Sequence, residues 1–249
     1  MRRHLAATLC GLMVLGLSVQ DALAEPTRLM VRALALDAKF IGTHTGGVDV
    51  TVTDARSGRV LATGRIMGGT GDTTRIMQAP HTRGLSLSDA ATAGYEAVLD
   101  LAEPTLVRVD ARGPLGTPAA ILSVSSTLWM LPGRDRVGDG LILTFPGFVI
   151  EPAVTQAAGG GRTITAKVTM MCGCPITPGG LWDAADVAVW ADLLADGRVI
   201  STVPLRPAGQ PSQFVSDTVT VPPAATRLRV VAASRTTLNA GSAIAVLVP

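Results

Sequence analysis

Apolar residues recur at every second position along much of this chain. Val48, Val50 and Val52 are interleaved with Asp49, Thr51 and Thr53, and Tyr95, Ala97 and Leu99 repeat the spacing. Successive side chains of a strand point to opposite faces, so this period predicts strands with one buried face. In the first half it predicts strands over 29–36, 48–53, 60–66, 95–99, 106–109 and 119–131, then a short apolar stretch at 141–145. Arg56-Ser57-Gly58 supplies a turn, and 68–88, rich in Gly, Thr and Arg, reads as loop. In the second half 148–155, 164–171, 187–194, 198–205, 214–221, 227–234 and 240–248 read as strands. Ala195-Asp196-Gly197 is a hairpin turn. A rival reading has Asp183 capping a helix over 184–195, with Val187, Trp190 and Leu194 on one face. The Asp-Gly turn needs a strand on each side, which favours the strand, with Trp190 in the core.

These elements predict an all-β fold: two tandem antiparallel β-sandwich domains after a cleaved signal peptide. The divisions are 1–24 for the signal, 25–131 for the first sandwich, 132–146 for a linker and 147–249 for the second sandwich. The 27 glycines and 16 prolines fit short strands with tight turns. The pattern Val48-x-Val50-x-Val52 then Gly58-Arg59-Val60 is echoed by Val187-x-Val189-x-Ala191 then Gly197-Arg198-Val199. A shared hairpin type produces such an echo with or without duplication.

Residues 48–62 (VDVTVTDARSGRVLA) and 94–113 (GYEAVLDLAEPTLVRVDARG) resemble the opening hairpin and later Gly-Tyr strand pair of the carboxypeptidase-regulatory or transthyretin-like sandwich family. The resemblance covers about 90 residues and is one of pattern; the 68–88 loop is longer than that family leads one to expect. The second half is similar to immunoglobulin-like or fibronectin-like sandwiches in strand count, without the inter-sheet cysteine pair of antibody-type domains. Both resemblances imply a non-catalytic role in binding, positioning or stiffening.

The N terminus reads as a secretory signal. Arg2 and Arg3 precede a mostly apolar stretch over 5–19, too short to span a bilayer comfortably, and Ala22-Leu23-Ala24 is a small-x-small cleavage pattern. The expected location is therefore periplasmic or secreted, with no stable membrane insertion after cleavage and a protein partner in the cell envelope. Loss of Arg2, Arg3 and Asp21 lowers the formal net charge from +2 to +1. Without a concentrated basic patch, and with aromatics at 3%, nucleic acid is not an expected partner.

Chemistry concentrates in Met170-Met171-Cys172-Gly173-Cys174-Pro175. The chain has three cysteines, and Cys10 lies in the expected signal. Thiolate and thioether sulfurs are soft donors that favour Cu(I), so Cys172 and Cys174 are candidate metal ligands, with Met171, Met170 and His44 or His81 as further donors. The expected mechanism is Cu(I) capture and transfer to a partner by ligand exchange. Two alternatives stay open. An exported Cys-x-Cys pair can act as a thiol–disulfide oxidoreductase, or merely crosslink an envelope or adhesion component. The following loop, Pro178-Gly179-Gly180-Leu181-Trp182-Asp183, presents a Trp that covers a sandwich edge or marks a contact. Trp129 to Gly133 and Gly138-Asp139-Gly140 bracket the expected junction. No Gly-x-Ser-x-Gly, phosphate-binding loop or His-Glu-x-x-His occurs, and the acidic pairs read as turn or cap residues. The sequence therefore reads as that of a non-enzyme.

Overall fold

A computed structural model describes residues 24–157 and 159–247. The expected signal segment, apart from Ala24, and Cys10 lie outside the described residues. The chain is all-β. Its strands are β1 (Glu25–Ala35), β2 (Val48–Asp54), β3 (Val60–Ile66), β4 (Tyr95–Leu101), β5 (Thr105–Gly113), β6 (Leu122–Met130), β7 (Arg136–Phe145), β8 (Phe148–Gln156), β9 (Arg162–Met170), β10 (Val187–Ala195), β11 (Arg198–Pro207), β12 (Gln213–Val215), β13 (Arg227–Ser234) and β14 (Ala240–Val246). Among the described residues no helix is long and apolar enough to cross a membrane.

Three sheets form, ordered β4-β1-β7, β3-β2-β5-β6 and β14-β13-β10-β11-β12-β9-β8. The alternation of β2 and β5 places Val48, Val50, Val52, Val107 and Val109 inside, while Asp49 and Arg108 stay outside. The seven strands of the second half hydrogen-bond as one sheet rather than two. Only Arg206↔Val215 and Pro207↔Phe214 join β11 to β12, so the sheet turns there and its wings face each other. The ends approach at Gly241, where a Cβ would lie 3.0 Å from the Phe148 backbone nitrogen, and the sheet becomes a nearly closed barrel.

Three expectations need correction. The 132–146 linker is mostly strand: β7 pairs with β1, and the pairing is parallel, so not every pair is antiparallel. Periodicity shows which face of a strand is buried, but not which strand lies beside it. Asp183 does cap a helix, but only a 3₁₀ turn, Ala184–Asp186; its Oδ1 accepts from Ala185 N before β10 begins. In β10, Val189 and Ala191 face the core, so the alternating Trp190 lies on the other face, half-buried rather than in the core.

Buried side chains from both halves form one continuous cluster, with Phe145 and Phe148 flanking the joint in sequence and Met170, the strand partner of Phe148, leading into Met171, Cys172, Cys174 and Ile176. Full burial of a Phe or Met contributes about 1.5–3 kcal/mol. The joint is thus held by apolar packing as well as by the chain connection.

Candidate functional site

The Cys-x-Cys segment leaves β9 as a tight turn. Gly173 N donates to Met170 O at 2.7 Å and Met170 N to Cys174 O at 3.1 Å. Gly173 has φ +79°, a left-handed conformation that glycine adopts without cost to a Cβ. The turn brings the two cysteine Cα atoms to 5.4 Å, and their sulfurs form a disulfide. Ser212 pins the exit: its Oγ accepts from Ile176 N, its N–H donates to Ile176 O, and its carbonyl accepts from Val168 N. Cys172 is 1% exposed and Cys174 8%. The sequence alone suggested sulfurs at an accessible strand end; the structure places them under the surface and bonds them to each other.

Of the other candidate ligands, Met170 and Met171 are both buried in the shared core. His44 does come to the turn. It sits in the 3₁₀ turn Thr43–Thr45 between β1 and β2, and its imidazole lies on Gly173. A Cβ at Gly173 would stand 2.6 Å from His44 Cδ2 and 3.2 Å from Nε2. His44, Thr45 and Gly173 line a cleft of about 350 Å³ between the halves, with the Glu151–Lys167 pair also on its wall. That pair is 3.2 Å apart and half-exposed on both sides, so it contributes under about 1 kcal/mol.

His81 is elsewhere. It belongs to the long loop between β3 and β4, where its Nε2–H donates to Ile76 O at 2.8 Å. It lines a separate concavity of about 410 Å³ with Arg75, Arg83 and Asp139. Among the described residues no three His, Cys, Asp or Glu side chains converge as a ligand set for a metal ion.

The loop holding His81 is fixed by a network that periodicity did not reveal. The β1–β7 register slips from Leu29↔Arg136 to Val31↔Leu141, so the intervening residues of β7 bulge. Asp139 sits in that bulge. Its Oδ1 accepts from Ser86 Oγ at 2.6 Å, Ser88 Oγ at 2.6 Å and Ser88 N at 2.9 Å, and its Oδ2 accepts from Leu87 N at 2.8 Å. Partial burial pushes the carboxyl up, but the four donors outweigh it and hold the pKa at about 2. Beside it Arg32, 5% exposed, donates to Thr92 O, Ala93 O and Gly138 O. Burial lowers this guanidinium's pKa, opposed by Asp139 and Asp89. The flanking glycines of Gly138-Asp139-Gly140, both at positive φ, were the sequence signal for this anchor.

No protein-family model matches this chain, and no curated protein matches it in sequence.

Proposed function

We propose that the chain is an exported, non-catalytic binding or accessory protein of the cell envelope, periplasmic or secreted, built from two β-sandwich-like units. In this reading the Cys172–Cys174 disulfide is a structural crosslink where the units meet. The observation that supports it is the pair of mutually bonded, buried sulfurs with the first unit's His44 packed on the intervening glycine. A disulfide buried in this way offers little surface to an attacking thiolate, which argues against an oxidoreductase. The resemblances to transthyretin-like and immunoglobulin-like sandwiches fit the same non-catalytic role.

Thiol counting tests the reading. Denatured but unreduced protein recovered after export is expected to show no reactive thiol, Cys10 having left with the signal; two would remove the crosslink. The Cys172→Ala/Cys174→Ala variant should stay folded and unfold at lower denaturant, since even this short loop restricts the unfolded chain by about 1.6 kcal/mol on the loop-entropy relation.

The contact of His44 with Gly173 favours a second reading. In the reduced protein two thiols and an imidazole would share one neighbourhood, a donor set suited to Cu(I). Anaerobic Cu(I) titration of reduced protein should then give a one-to-one sulfur–metal charge-transfer band, lost in Cys172→Ser/Cys174→Ser and weakened in His44→Ala. Absence of the band withdraws the metal reading and leaves the crosslink intact.

A further inference from the structure

A second concavity spans the joint at the loop that carries Trp182. It has a volume of about 50 Å³ and lies between Asp37 of the first half and the 181–187 and 234–239 segments of the second. Phe148 and Met170, 4% and 3% exposed, are among its apolar walls. Trp182 Nε1–H donates to Asp37 O at 2.8 Å, which fixes the indole across the joint and commits its only polar atom. What the ring then offers is π surface, which attracts cations.

Two further observations point to a ligand. Asn239 lines the cavity and is 2% exposed. Its Oδ1 accepts from Gly147 N, which fixes the amide orientation and leaves the NH₂ as the remaining group. That Nδ2 is the one buried side-chain nitrogen or oxygen without a hydrogen-bond partner among the described residues. Buried polar atoms in native structures are seldom left unpaired, so an acceptor belongs here. Asp37, Asp183 and Asp186 also line the cavity, and none of its lining residues is Lys, Arg or His. Asp183 is occupied in part by Gly179 N and Ala185 N. The Asp186 and Asp37 side chains have no hydrogen-bond or ion-pair partner among the described residues. Burial raises the Asp37 pKa, as fits a carboxyl with no cation beside it.

We propose that this cavity binds a small amine cation that carries an oxygen acceptor a few bonds from its nitrogen, as in an amino alcohol or an amino amide. The oxygen takes the Asn239 N–H, and the ammonium lies among the carboxylates and the Trp182 ring. The space admits on the order of four non-hydrogen atoms, which limits the ligand to molecules of that size.

The test is an NMR titration of ¹⁵N-labelled protein, following the Trp182 indole N–H, assigned by its loss in Trp182→Phe. Ethanolamine and glycinamide are expected to shift it saturably, with dissociation constants on the order of 1 mM. Methylamine, which lacks the acceptor, should bind roughly tenfold more weakly, and acetate should not bind. Asp186→Asn, at an exposed position, should weaken ethanolamine roughly tenfold without unfolding the protein. The proposal is overturned if no amine gives a saturable shift, so that the cavity holds water alone. It is equally overturned if acetate matches ethanolamine, or if Asp186→Asn leaves ethanolamine affinity unchanged. The thiol and copper tests do not bear on this outcome, since the site uses neither cysteine.

Discussion

Asp139 is the most exacting test of how the long β3–β4 loop is held. Replacing it with alanine leaves two backbone N–H groups and two serine hydroxyls without their acceptor. A hydrogen bond contributes about 1 kcal/mol net, somewhat more to a charged group, and the hydroxyls can turn toward water. The expected cost is about 3 kcal/mol. The pH dependence separates the charge from the shape. The folded pKa is about 2, against an ordinary 3.8. A depressed carboxyl stabilises fully above its unfolded pKa, and this contribution is lost as pH falls through the folded pKa. Discounted for solvent screening, the shift corresponds to about 1–2 kcal/mol. Asp139→Asn keeps the shape but lacks the titration. Urea unfolding followed by circular dichroism should show the gap between wild type and Asp139→Asn narrowing as pH falls from about 5 to about 2. A gap that stays constant across that range would refute the assignment of the stabilisation to the ionised carboxylate. Tryptic cleavage after Arg75 and Arg83 should accelerate in Asp139→Ala, because both lie in the released loop.

Three further substitutions probe other contacts. Gly173→Ala puts a methyl 2.6 Å from His44 Cδ2 at φ +79°, and chemical denaturation should show a loss of about 2–3 kcal/mol; an unchanged midpoint would mean that His44 does not lie on the turn. Asp192→Ala removes a 5%-exposed carboxylate that accepts from Arg229 Nε and Nη2 and from Thr202 Oγ1. Thermal unfolding should register about 2 kcal/mol, below the cost of breaking a fully buried pair because Arg229 is 37% exposed. Gly64→Ala drives a methyl into the Tyr95 ring and breaks the Tyr95 hydroxyl's bond to Thr63 O, so the melting temperature should drop, by an amount set by about 1–3 kcal/mol.

The candidate site was legible in its parts and not in its state. Cys172, Gly173 and Cys174 stood out by composition, and a glycine between two cysteines foretold the tight turn. Whether the sulfurs would meet a metal, a substrate or each other depended on what covered them. The turn's neighbours come from far along the chain: Ser212, 38 positions after Cys174, holds the Ile176 backbone, and His44, 129 positions before Gly173, lies on that glycine. His44 and His81 were equivalent on paper. Folding brings one to the disulfide and ties the other into a loop anchored by Asp139. Asn239 gave no warning, because an asparagine beside a turn is ordinary until its amide is found buried with one half satisfied.

By itself the order of residues determined the all-β class, most strand positions and, where the alternation is clean as in β2 and β4, the inward face, since these follow from alternation within a few neighbouring residues. It also foretold the β2–β3 and β10–β11 hairpins, because a short turn leaves the returning strand little choice of partner. The tertiary structure alone decided that β1 would take β7 as a parallel neighbour and that seven strands would curl into one nearly closed sheet. It alone decided, too, that two sulfurs would end under the surface. Those outcomes depend on which distant surfaces exclude water together, and no local spacing encodes that.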